Sequence, residues 1–128
     1  MNTSRALIAS TLAVVLLAGC HHSVVPPPRD TGLAEFESLY AVWHQEAYAI
    51  RQSSNTYEYI GLPSYRKIIA LGRAALPALE QKMAEDKGLD FMLAFAVVEI
   101  CGWDREEFRG AGGEQGFRDR VLRKLRKK

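Results

Sequence analysis

The chain has 128 residues, with 17 Lys and Arg against 15 Asp and Glu, a net charge of +2 and 48% hydrophobic residues. That is enough for one globular domain and too little for two. Charge is spread unevenly: residues 21–117 hold nine basic and fourteen acidic side chains, whereas residues 118–128 hold seven basic and one acidic.

The first element is a short apolar run. Met1 to Arg5 is polar with one positive charge, and Ala6 to Gly19 then gives fourteen uncharged residues. A membrane-spanning helix needs roughly 20 apolar residues, so this run is too short, but it suits the apolar core of a secretory signal, about 7–15 residues long. It closes on Leu17-Ala18-Gly19-Cys20. This tetrapeptide resembles the lipobox of bacterial lipoproteins. The resemblance implies that residues 1–19 are a signal peptide, that Cys20 carries a diacylglyceryl group, and that its amine becomes the mature N-terminus. Two or three acyl chains hold a protein firmly, whereas one binds reversibly. His21 follows the cysteine, where an aspartate would resemble an inner-membrane retention signal. The expected location is therefore the outer membrane, facing the periplasm.

Residues 20–31 read as a linker. Its three prolines favour an extended polyproline conformation that could stand the domain about 30 Å from the membrane. His21 and His22 lack further ligands nearby and read as solvated linker residues. With Cys20 lipidated, Cys101 has no partner and is expected to be buried as a small apolar group.

The remainder, residues 32–128, reads as one all-α domain, a compact bundle of about four to five helices. Gly32 to Gln52 is the first helix, with Leu33, Phe36, Tyr40, Trp43, Ala47 and Ile50 recurring every three or four residues on one face. His44 and Glu46 fall off that stripe and are expected in solvent. Ser53 to Pro63 breaks the pattern and reads as a loop, with Tyr57, Tyr59 and Ile60 folded back and a short strand over 57–60 as the alternative. Ser64 can cap a helix ending at Gly72. Pro77 opens another, to about Asp86. Lys87-Gly88 makes a turn. Leu89 to Cys101 then follows as the cleanest amphipathic helix, with Gly102 closing it.

Tyr65-Arg66-Lys67-Ile68-Ile69-Ala70-Leu71-Gly72, then Ala75-Leu76-Pro77-Ala78-Leu79, then Val98-Glu99-Ile100-Cys101-Gly102 are similar to short, uncharacterised HEAT-like helical proteins. The resemblance covers residues 62–104 and implies a helical hairpin there, with the first and last helices acting as caps.

Trp103 to Gly116 contains Gly110-Ala111-Gly112-Gly113, read as a flexible hinge, because no GK[ST] follows it and no strand precedes it. Phe117 to Lys128 is the last helix. Its cations Arg123, Lys124, Arg126, Lys127 and Lys128 complement the negative end of the helix dipole and are candidates for contact with an anionic surface.

No HExxH, GxSxG or metal-ligand spacing is present, and His44 is the one histidine outside the linker. The chain therefore reads as a non-enzyme without cofactor, metal, nucleic acid or small-molecule substrate. It is expected to be a membrane-anchored, periplasm-facing lipoprotein whose helical domain binds a protein partner. Trp43, Tyr48, Tyr57, Glu58 and Tyr59 are candidates for the partner-binding surface, unless these aromatics complete the core. Two alternatives stand beside it: an immunity protein neutralising a periplasm-acting toxin, and a structural lipoprotein touching the cell wall through its basic C-terminus.

Overall fold

A computed structural model describes residues 31–127. The signal segment, Cys20, the proline linker up to residue 30 and Lys128 lie outside the described residues. Within them the chain is an all-α bundle: α1 (Thr31–Ala49), α2 (Thr56–Ile60), α3 (Pro63–Ala70), α4 (Leu76–Glu85), α5 (Leu93–Cys101) and α6 (Gly113–Arg126). Three 3-10 turns, Gly72–Ala75, Asp90–Met92 and Arg105–Phe108, join α3 to α4, α4 to α5 and α5 to α6. None of the described helices is long and apolar enough to cross a membrane.

The stripe on α1 is the spine of the bundle. Phe36, Trp43 and Ala47 are buried, and Tyr40 and Ile50 partly so. At about 100° per residue these five cluster within roughly 40° of one line along the helix. Leu33 lies about 60° from that line and is exposed. The stripe packs chiefly on α3, while α5 packs on α3, α4 and α6. Tyr65 and Ile68 of α3, Leu79 and Met83 of α4, Leu93 and Val97 of α5, and Val121 of α6 complete the centre. In the stretch 62–104, α5 thus lies against both preceding helices.

Trp43 sits at the junction of three elements. Its ring packs 5.5 Å from that of Tyr65, and its Nε1–H donates to the Tyr59 carbonyl at 3.0 Å. The Tyr65 hydroxyl donates to the Met92 carbonyl at 2.7 Å. The Tyr59 hydroxyl reaches the carbonyls of Ile50 (3.0 Å) and Ser53 (2.9 Å). Each large aromatic thus buries its ring and satisfies its polar tip on backbone, as burial demands.

Several boundaries differ from the sequence expectation. The segment expected as a loop at 53–63 contains helix α2, capped by the Asn55 side chain accepting from the Tyr57 amide at 3.1 Å. Tyr59 and Ile60 of α2 are buried, but Tyr57 points outward. Ser64 does not cap α3: the helix starts one residue earlier, on Pro63, and Ser64 is buried inside its first turn. The amphipathic segment at 89–101 is α-helical only from Leu93, after a 3-10 entry. The glycine stretch expected as a hinge opens α6, with Gly112 in a left-handed conformation at the cap. Gly116 is obligatory there, since a Cβ would collide with the Ala111 carbonyl. Cys101, expected buried, is partly so, packed against the core at the end of α5.

Replacing Trp43→Ala should cost about 3–5 kcal/mol, the usual range for truncating a large buried aromatic. Trp43→Phe keeps most of the apolar volume but strands the Tyr59 carbonyl, so it should cost less, about 1–3 kcal/mol. Urea unfolding of both variants measures the difference.

Candidate functional site

The two margins of the α1 stripe carry polar side chains. His44 lies about 80° to one side of the stripe and Glu46 about 80° to the other. Both were expected in solvent, yet both are half-buried and bonded. A residue at the edge of a packed face is within reach of whichever element covers that face.

On the His44 margin, Asp90 is fully buried. The Tyr40 hydroxyl lies 2.7 and 2.9 Å from its two carboxylate oxygens. His44 Nε2 stands 3.1 Å from Oδ1. The Tyr40 and His44 rings are 4.4 Å apart, as one helical turn allows. Lys82 of α4 lies over the other reach of the Tyr40 ring at 4.6 Å and pairs with Glu37 at 3.4 Å. Asp90 sits in the first turn of the segment leading into α5, where a carboxylate opposes the positive helix end. A carboxylate fixing an imidazole is also the orienting half of a proton-transfer site. Among the described residues, no Ser, Thr or Cys side chain is hydrogen-bonded to His44. The trio works as a polar clamp between α1 and the entry to α5.

On the opposite margin Glu46 accepts from the Ser64 amide at 3.3 Å and from the Ser64 hydroxyl. The first amides of a helix need acceptors from outside it. Leu62 at the cap position supplies none. Glu46 therefore caps α3 from across the bundle.

The five side chains expected on a partner-binding surface separate into two groups. Trp43 and Tyr59 are 0% and 5% exposed; their rings are core, and the expectation that they face a partner is corrected. Tyr48 and Tyr57 are 65% and 69% exposed, and Glu58 is exposed beside Tyr57. Tyr48 lies about 120° from the α1 stripe, which is why it turns outward. Arg51 stacks on the Tyr48 ring at 4.2 Å and donates to the Tyr48 carbonyl at 3.1 Å. Tyr57 borders a hollow of about 170 Å³ lined also by Asn55, Ile60, Phe95 and Glu114.

The C-terminal cations also differ among themselves. Arg126 pairs with Glu80 of α4 at 3.0 Å. Lys124 bonds Glu107 at 2.6 Å and lies 4.7 Å over the Trp103 ring. Arg123 and Lys127 are exposed and have no carboxylate partner among the described residues. No group of three or more His, Cys, Asp or Glu side chains among the described residues could hold a metal ion. The chain matches none of the protein-family models, curated proteins or solved structures with which it was compared.

Removing the buried carboxylate takes away the acceptor shared by the Tyr40 hydroxyl and His44 Nε2. Asp90→Ala should therefore lower stability by about 2–4 kcal/mol, with Asp90→Asn costing less because it keeps an acceptor and the volume. Thermal and urea unfolding of the pair check this.

Burial first, and then the bond to Asp90, push the Tyr40 phenol well above its ordinary value of 10.0. Burial likewise raises Tyr65. A phenol that holds its proton more tightly when folded contributes its full stabilisation below the unfolded value and loses it as pH rises beyond. Unfolding free energy should thus fall as pH climbs past about 10, and Tyr40→Phe should make that fall shallower. Urea titrations across pH 9–12 measure it.

Proposed function

We propose that this chain is a lipoprotein held through Cys20 to the outer membrane, on its periplasmic face, and that its helical domain acts by binding a protein rather than by catalysis. Leu17-Ala18-Gly19-Cys20, closing an uncharged run of fourteen residues, supports the anchor. The corner between α1 and α2 supports the binding reading. Among the described residues, Tyr48 and Tyr57 are the aromatics left exposed, and they flank the connection of residues 50–55. Tyrosine and arginine are the side chains that protein interfaces concentrate at their energetic centres. Tyr48, Arg51, Tyr57 and Glu58 place an aromatic pair with one charge of each sign at this corner. The single observation that carries the proposal is that exposed tyrosine pair on a bundle whose other aromatics are at least half-buried.

Two measurements test it. Cys20→Ser should release the chain from the envelope pellet on cell fractionation; a substituted chain that is still processed and pelleted like the original overturns the anchor. In affinity capture from envelope extracts, the double variant Tyr48→Ala, Tyr57→Ala should lose a stoichiometric partner by about tenfold or more while its circular dichroism stays unchanged. Equal capture by the variant removes this surface from the function.

A further inference from the structure

The last helix carries a second feature, independent of the tyrosine corner and of the lipid. Arg120, Arg123 and Lys124 of α6 and Lys127 at its C-cap recur at spacings of three and four on one face. The Arg105–Phe108 turn stands opposite, and together they enclose an open basin of about 550 Å³ lined by those four cations, Glu107 and Phe108. Lys124 is matched by Glu107. The other three cations have no carboxylate partner among the described residues.

Arg120 is the informative member. Its Nε–H donates to the Phe108 carbonyl at 2.7 Å and its Nη1 to the Ala111 carbonyl at 3.0 Å. These bonds hold the planar head in place without cancelling its charge. Its Nη2 is packed beside Gly110 and Gly116, without a hydrogen-bond partner among the described residues; the guanidinium is thus anchored by the glycine turn at the edge of the basin. Arg120 also lies in the middle of α6, so the helix dipole, which favours cations only in the final turn, does not account for it. Several cations elsewhere meet a carboxylate, Arg66 with Glu99, Lys82 with Glu37, Arg118 with Asp86 and Arg126 with Glu80, while Arg51 and Arg105 lie over aromatic rings instead; the basin differs in gathering three unmatched cations on one face. Like charges at these helical spacings repel. A dianionic or monoanionic oxygen cluster in the basin would relieve that repulsion and meet guanidinium forks suited to it.

We infer that the basin between α6 and the Arg105–Phe108 turn is a phosphate-binding site, with Arg120 as its fixed floor and Arg123 and Lys127 as the arms that close on the ligand. A phosphate group reaches such a site either as a free anion or as a lipid headgroup. The reading does not depend on lipidation of Cys20 or on the tyrosine corner.

The full chain, held in phosphatidylcholine nanodiscs, is titrated with inorganic phosphate while the amide resonances of residues 118–127 are followed. In a second arm about a quarter of the lipid is replaced by phosphatidylglycerol. Saturable shifts centred on Arg120, Arg123 and Lys127 are expected in at least one arm; shifts with inorganic phosphate identify a free anion as sufficient, and shifts with phosphatidylglycerol alone identify the headgroup. Arg123→Gln should weaken binding about fivefold, while Arg126→Gln, which removes the same charge from the same helix outside the basin, should change it less than about twofold. No saturable shift in either arm, or equal weakening by the two substitutions, overturns the site.

Discussion

The indole of Trp43 is the contact on which the bundle closes. Its ring fills the space between α1 and α3, and its one polar atom is used on the carbonyl of Tyr59. That bond fixes α2 over the end of α1, and α2 leads directly into α3. A single buried side chain thus sets the relation of three consecutive helices. An aliphatic residue could fill the volume but could not reach the carbonyl, and the junction would carry an unmet acceptor in an apolar setting.

Around this centre the bundle is tied at its margins by polar pairs of long sequence separation. Tyr40 and His44 meet Asp90, 50 and 46 residues away. Glu46 meets Ser64. These pairs explain how much of the molecule was legible in advance. The α1 stripe was readable because its spacing is a property of the sequence itself: Phe36, Trp43 and Ala47 are buried as their register requires. The flanking His44 and Glu46 were not, because their burial is decided by what the covering helices bring. Nothing in the local pattern of Asp90, beside a lysine-glycine turn, marks it as fully buried. The same limit hid α2. Five residues are too short to show a periodicity, and only Asn55, a good capping residue, signalled a helix start. Of the aromatic set, the α1 register puts Trp43 on the stripe and Tyr48 off it, although both were expected on the partner surface, while Tyr57 and Tyr59 could be sorted only once α2 had a direction.

Charge tells a similar story at the other end. The sequence divides into an acidic body and a basic tail, which suggests a free cationic extension. Folding undoes much of that division. Arg118, Lys124 and Arg126 are drawn onto Asp86, Glu107 and Glu80, carboxylates contributed by the acidic part. What is left unbalanced is a smaller and better-defined group than the tail as a whole. It includes Arg120, whose position within the helix gave no reason to set it apart from its neighbours.

The Tyr59 hydroxyl, clasping the carbonyls of Ile50 and Ser53, has an effect beyond its own burial. It staples the strand of chain that leaves α1, so the corner bearing Tyr48 and Tyr57 is shaped before anything touches it. A surface already rigid forfeits little conformational entropy on association. If the proposed binding function holds, discrimination at this corner would come from steric match rather than adaptation, favouring one well-fitting counterpart over many loosely fitting ones.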